Sequence, residues 1–325
     1  MRRAPAFWSA KPGWQSTLLA PLAALYAAGT ARRVAQPSKF VADVPVICVG
    51  NLSAGGTGKT PVVIALAEML RDAGKQVAVV TRGYGGSLDG PARVDPEKHS
   101  ADEAGDEPLL LTGFAQVWVS KDRAEGARAA VENGADVILL DDGFQNPDVA
   151  KDLSLVVVDA GVGFGNGKVI PAGPLREPVK VGIKRADALV LIGSPGQREA
   201  FEAPPGVPVL GAELLPLQTG LLLEGLPVLA FAGIGRPEKF FETLRRQGAD
   251  IRRTVPLGDH QPLTTGLMTR LDGEAKARGL QLVTTEKDAV RLPPSFRQQV
   301  MTIPVRLVFQ DPTAIAELLA PLIEL

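Results

Sequence analysis

Residues 44–70 read VPVICVGNLSAGGTGKTPVVIALAEML, and this stretch decides the fold. Val44 to Val49 is a short run rich in β-branched residues, the composition of a strand buried in a parallel sheet. Gly50 to Gly58 supplies backbone able to curl round an anion. Lys59 and Thr60 then open a segment in which Val63, Leu66, Ala67 and Leu70 recur at helical spacing. Strand, glycine-rich loop and helix in that order aim backbone N–H groups and the positive end of a helix dipole at one point, which suits a phosphate.

Gly58-Lys59-Thr60 is the core of a nucleotide-binding P-loop. The residues expected to surround the nucleotide are Ser53, Ala54, Gly55, Gly56, Thr57, Gly58, Lys59, Thr60 and Pro61. Lys59 would reach the β- and γ-phosphates of ATP, and the Thr60 hydroxyl would take a place on Mg²⁺. The usual pattern places glycine where this chain has Ser53, and the glycines shift to Gly55-Gly56. That arrangement resembles the deviant P-loops of the MinD and dethiobiotin synthetase kind, which usually carry lysine where Ala54 stands.

Composition sets the bounds. A chain of 325 residues, 45% hydrophobic and 22% charged, suits a soluble globular protein of two ordinary domains. A formal net charge of −1 leaves no bulk electrostatic case for nucleic acid. The single cysteine, Cys48, falls in the expected buried strand, which excludes an internal disulfide and fits a reducing compartment. His99 and His260 are the only histidines, too few for a His-rich metal site, and His99 is expected in a solvated loop.

Residues 1–40 form an arm of different character. It holds Arg2, Arg3, Lys11, Arg32, Arg33 and Lys39 and no acidic residue. Trp14, Leu18, Leu19, Leu22, Leu25 and Tyr26 share one side of a helical wheel, small residues lie mostly opposite, and Pro21 is expected to start a new helical segment. Three readings stay open: an interfacial helix on an anionic membrane surface, a helix packed on the protein itself, and a spanning or exported segment. Length alone permits a span, but Gln15, Ser16, Thr17, Pro21 and Gly29 make a poor one.

Beyond the P-loop, residues 41–205 alternate strands and helices as a doubly wound domain does. The strand ending at Thr81 runs into Arg82-Gly83-Tyr84-Gly85-Gly86, a loop expected at the ligand-binding end of the sheet, where Arg82 meets either phosphate or a carboxylate. Gly105-Asp106-Glu107-Pro108 starts a short helix, and its two acids complement the helix dipole as well as any chemistry. Val137 to Leu140 ends in Asp141-Asp142-Gly143-Phe144-Gln145, a Walker-B-like carboxylate placement aimed at Mg²⁺. Arg176, in the proline-rich stretch 171–178, is a candidate anion clamp or a structural ion pair. Residues 206–226 read as a connector or a two-stranded hinge, and 227–325 as a second, smaller α/β domain.

The motifs GNLSAGGTGKTP, TRGYGG, GDEP, DDGFQ, PAGPLREP, GIGRPEKFF, GDH and TTEKDAVRL, in this order, resemble the tetraacyldisaccharide 4′-kinases, the lipid A kinases of Gram-negative bacteria. The resemblance implies a P-loop NTPase-like parallel sheet domain, a second α/β domain and an N-terminal amphipathic arm. It implies transfer of the γ-phosphoryl of ATP to the 4′-hydroxyl of tetraacyldisaccharide 1-phosphate, at the cytoplasmic face of the inner membrane. It marks Asp106 as the catalytic aspartate, with His260 paired to it, Lys59 and Arg176 near the reacting groups, and Thr60, Glu107, Asp141, Asp142 and Gln145 around the metal. No protein partner is implied. Asn146, Arg236 and Gln261 depart from the family pattern, which has histidine, asparagine and often a second histidine at these places. A rival class is a membrane-bound switch ATPase, against which Ala54 counts; a carboxylate–amine ligase would leave the basic arm unexplained.

Overall fold

The computed structural model describes residues 5–217, 220, 222–258 and 261–323. Its strands are β1 (Val46–Gly50), β2 (Val77–Thr81), β3 (Ala92–Arg93), β4 (Gln116–Val119), β5 (Val137–Asp141), β6 (Leu153–Asp159), β7 (Ala188–Ile192), β8 (Val209–Pro216), β9 (Pro227–Ala232), β10 (Asp250–Pro256), β11 (Gln281–Thr285), β12 (Val300–Ile303) and β13 (Val305–Phe309). Among the described residues they form a nine-stranded sheet, ordered β13-β8-β7-β6-β1-β5-β2-β4-β3, and a four-stranded sheet, ordered β10-β9-β11-β12. All pairings in the small sheet are parallel, and only the edge strands β3 and β13 of the large sheet run antiparallel to their neighbours.

Alternation within β1 sorts its side chains to two cores. Ile47 and Val49 join the core beneath helix Lys59–Asp72, while Val46 and Cys48 join the core on the opposite face with helix Arg123–Glu132. Every residue of β1, β2, β5, β6 and β7 is buried, which is why these strands read as continuous apolar runs. The chain builds outward from β1 to one side through β5, β2 and β4, then to the other through β6, β7 and β8. The crevice at the carboxyl end of β1 is therefore the topological switch point, and the P-loop occupies it.

Two expectations need correction. The stretch read as a connector or two-stranded hinge, 206–226, holds a strand, β8, but that strand is a full member of the large sheet, paired to β7 as well as to β13. The end of the chain also leaves the second domain: β13 pairs with β8, and helix Pro312–Ile323 buries Ile315 and Leu319 in the core beneath the P-loop helix. Both differences have one cause, pairing between segments far apart in sequence, of which a local apolar run carries no trace. Strand β3 likewise lies in a stretch expected to be loop, where the His99 ring accepts a 3.0 Å hydrogen bond from the Asp95 N–H.

The arm forms helices Trp14–Leu18 and Ala20–Val34, with Pro21 in the first turn of the second, as expected. Its small residues Ser16, Ala23 and Thr30 face the protein, while Trp14, Leu18, Leu22 and Leu25 are more than half exposed. Asn166 anchors it, donating to Phe7 O at 3.2 Å, Ser16 Oγ at 3.1 Å and Ala172 O at 2.9 Å. Among the described residues, no helix is long and apolar enough to cross a membrane.

Candidate active site

The P-loop is shaped by backbone that glycine alone accepts readily. Gly55 and Gly58 hold φ of 119° and 92°, and a Cβ on Gly58 would come within 2.9 Å of Ile192 Cδ1. Asn51 pins the loop from inside, its amide donating to Thr57 Oγ1 at 3.0 Å and Gly55 O at 3.4 Å. Helix Lys59–Asp72 starts with no side-chain cap and no acid in its first turn, so its N-terminal N–H groups remain for an anion. Gly55 and Gly56 are exposed, with open space where a Cβ would point. These features fit a nucleotide phosphate chain.

Arg176 reaches the loop because its own segment pairs with it. Arg176 N donates to Leu52 O at 2.7 Å and Ala54 N to Pro174 O at 2.7 Å. The guanidinium forms a two-pronged pair with Asp142, Nη1 to Oδ1 at 2.7 Å and Nη2 to Oδ2 at 3.0 Å. Lys59 Nζ lies 3.6 Å from the same Oδ1. Burial alone would raise the Asp142 pKa, but the charges of Lys59 and Arg176 outweigh it and hold the group at about 2. Asp142 itself sits at φ 53°, and the buried Arg123 steadies the turn by donating Nη2 to the carbonyls of Asp141 and Asp142 at 3.1 and 3.2 Å.

Asp141 has the opposite electrostatics. It is buried, Oδ2 accepts from Thr81 Oγ1 at 3.1 Å, and Oδ1 has no hydrogen-bond partner among the described residues. Burial, followed by the nearby charge of Glu107, pushes its pKa up to about 6 against the pull of Lys59. An orphaned carboxylate oxygen beside a second acid fits a divalent cation. Among the described residues, no three His, Cys, Asp or Glu side chains form a preformed cage. Mg²⁺ in phosphoryl-transfer sites needs none, since one or two carboxylates and the phosphates themselves complete its shell.

Asp106 and Glu107 begin helix Asp106–Leu111. The glycines of the Thr81–Gly86 loop and Gly105 let it approach: a Cβ on Gly86 would sit 2.3 Å from Glu103 O, and one on Gly105 2.8 Å from Tyr84 O. Asp106 is 4% exposed, and its Oδ1 accepts from Glu107 N at 3.0 Å. Glu107 Oε1 pairs with Lys287 Nζ at 2.8 Å. His260 lies outside the described residues. Arg82, expected to meet phosphate or a carboxylate, is exposed.

The expected metal role of Gln145 conflicts with its bonding. Its amide donates to Asn51 O at 2.8 Å and Glu177 Oε1 at 3.0 Å, and its Oε1 accepts from Arg176 Nη1 at 3.3 Å. With both ends engaged, it acts as a brace for Arg176 and the P-loop. Asn146 closes a local turn with Asp148 instead of facing the site. Sequence reasoning missed Asn51, Thr81 and Arg123, and also Asp159, which accepts from Arg236 Nη1 at 2.9 Å and Lys239 Nζ at 2.6 Å across the domain boundary. A lone arginine or asparagine gives no local signal. For Arg236, the family departure was the available clue.

A P-loop at the switch point of a parallel sheet, a Walker-B-like acid at the end of the adjacent strand and a two-pronged arginine clamp define a P-loop nucleotide-binding protein of the phosphotransferase kind. The family model of "Tetraacyldisaccharide-1-P 4'-kinase" (LpxK) matches residues 15–324, and the chain belongs to that family. A tetraacyldisaccharide 4′-kinase from Dinoroseobacter shibae is 60% identical over 96% of this chain and 95% of its own. One from a Jannaschia species is 61% identical over 95% of each chain. The crystal structure of an LpxK from Aquifex aeolicus in complex with ATP is similar with a TM-score of 0.78 and 29% identity, covering 95% of this chain and 99% of that one.

Proposed function

We propose that the protein is an ATP-dependent lipid kinase that transfers the γ-phosphoryl group of ATP to the 4′-hydroxyl of tetraacyldisaccharide 1-phosphate, giving lipid IVA in lipid A biosynthesis. The observation that carries this reading is the convergence of Lys59, Arg176, Asp141, Asp142 and the Asp106–Glu107 helix start around one P-loop. Family membership supplies the acceptor.

The chemistry asks mainly for positioning and charge neutralisation. The P-loop N–H groups and Lys59 hold the β- and γ-phosphates, and Arg176 neutralises charge that develops as the phosphoryl group transfers. The 4′-hydroxyl oxygen forms its bond to the γ-phosphorus, the bond to the β–γ bridging oxygen breaks, and ADP leaves. Asp106 accepts the hydroxyl proton, with His260 as its family-implied partner. Thr60, Asp141 and Glu107 are the groups that would hold Mg²⁺, which when bound supplies charge neutralisation at the phosphates, while Asp142, also expected at the metal, has both oxygens committed to Arg176.

The acceptor is a lipid, and the arm suits delivery to it at the cytoplasmic face of the inner membrane, where ATP is available. Trp14, Leu18, Leu22, Leu25 and Tyr26 point outward while Leu19, Ala23 and Thr30 face the protein, so most of the bulky side chains are left for a surface outside the fold. Lys11, Arg32 and Arg33 are exposed beside them, and each cation near an anionic surface contributes about 1 kcal/mol.

The test is transfer of labelled γ-phosphate from ATP to tetraacyldisaccharide 1-phosphate in detergent micelles. Wild type should label the lipid, and Lys59→Ala and Asp106→Ala should each lose about 10²–10⁴-fold. Full transfer by Asp106→Ala would discard it as the proton acceptor. ATP hydrolysis without any lipid product, from a folded wild type, would instead indicate the switch ATPase.

A further inference from the structure

The stretch Thr284 to Leu292, TTEKDAVRL, has a family signature but no role in the chemistry above. It begins at the end of β11, where the Thr285 hydroxyl caps helix Glu286–Ala289. Asp288 is fully buried and accepts from Gly233 N at 3.0 Å and Thr285 Oγ1 at 2.7 Å. Its other oxygen pairs with Arg291 Nη2. Arg291 Nη1 donates to the main-chain carbonyl of Gln261 at 2.8 Å, one residue after His260 in the sequence. Its Nε is buried without a hydrogen-bond partner among the described residues and faces Asp106 Oδ2 at 3.8 Å.

We propose that Arg291 is a positioning residue for phosphoryl transfer: braced by Asp288, it fixes the main chain at Gln261 and orients the Asp106 carboxylate across the domain boundary. The inference rests on the reading of Asp106 as proton acceptor. Three directions are needed from one cation, and a guanidinium offers five N–H groups in a fixed fork while an ammonium on a flexible stem does not. Shortening the Nε–Oδ2 gap by about 1 Å gives an ordinary charge-assisted hydrogen bond, so a small closure of the domains completes the contact. Lys287, on the same short helix, already spans the boundary to Glu107. The motif thus docks the second domain on the reacting end of the first.

The experiment uses the full chain, ATP and the lipid acceptor in micelles, with Arg291→Lys, Asp288→Asn and the double variant. Arg291→Lys keeps a cation beside Asp288. Asp288→Asn keeps acceptors for Gly233 and Thr285 but frees the guanidinium. Expected are a melting temperature near wild type for Arg291→Lys and a lowered one for Asp288→Asn, which leaves a buried cation unpaired, with KM for ATP within about twofold and kcat lowered at least about 30-fold in either folded single variant. The double variant should lose no more than Arg291→Lys alone, because Asp288 acts through Arg291. A folded single variant with kcat within threefold of wild type overturns the proposal, as do losses that multiply. Failure of both single variants to fold would make Arg291 a fold brace and also overturn it. If wild type itself does not label the lipid, the kinase reading has failed instead.

Discussion

Asp141 and Asp142 are neighbours in sequence with opposite electrostatics. Asp142 faces Lys59 and Arg176 and stays ionised, while Asp141 is buried with one oxygen unsatisfied. A buried ionised carboxylate without full hydrogen bonding costs stability, so its retention marks function. Asp141→Asn should therefore raise the melting temperature at pH 8 in EDTA by about 2–5 °C while lowering lipid phosphorylation by at least about 10²-fold. Calorimetry beside the kinase assay checks this, and a lower melting temperature would refute the strain. Cys48 offers a second check. Burial pushes its thiol up to about 11, so native protein at pH 8 should react with iodoacetamide more than about 100-fold slower than protein unfolded in guanidinium. Mass spectrometry of the two reactions reads the ratio. Burial of Cys48 was legible in its apolar strand, but the difference between the aspartates was not, because two adjacent acids look alike until Lys59, Arg176 and Glu107 arrive from other segments.

The P-loop and the arm show how far a short segment predicts its own role. Strand, loop and helix were legible from glycine placement and apolar periodicity, but the Asn51 side chain that pins the loop was not. Asn51→Ala should raise KM for ATP about 10-fold with little change in the KM for lipid, since it loosens the turn that holds the phosphates. Steady-state kinetics with each substrate varied in turn separates the two. In the arm, the wheel of bulky residues was visible in the sequence, yet whether it faced the protein or the outside was open. Asn166 decides it by tying down the small side. Leu18→Glu combined with Leu22→Glu should abolish sedimentation with anionic phosphatidylglycerol vesicles and leave the melting temperature unchanged, because both side chains are exposed. Retained binding would sink the interfacial reading.

Across the molecule, two sets of ion pairs join the sheets on either side of the P-loop. Lys287 and Arg291 meet Glu107 and Asp106, and Arg236 and Lys239 meet Asp159 at the end of β6. Asp159 is 7% exposed and accepts from both cations, so its removal leaves two charges without their shared partner. Asp159→Ala should speed hydrogen exchange in helix Pro237–Arg246 and enlarge the radius of gyration, with exchange in β1 and β5 unchanged. Unchanged exchange in that helix would show that the boundary is held elsewhere. The domains are also joined covalently in a way the chain order hides, since β8 and β13 bracket the second sheet and pair with each other in the first.

The sequence by itself determined the parallel α/β class, the P-loop and its phosphate-binding end, the Walker-B-like acids and the amphipathic arm. Each of these is a local pattern, in which backbone freedom, periodicity or a strand's end dictates the outcome within a few residues. Tertiary structure decided the return of the C-terminal strand and helix to the first sheet, the bracing role of Gln145, the unequal states of Asp141 and Asp142, and the meeting of Arg291 with Asp106. Those depend on burial and on charges brought within 4 Å from distant segments, and neither burial nor such a distance is written in the order of residues along the chain.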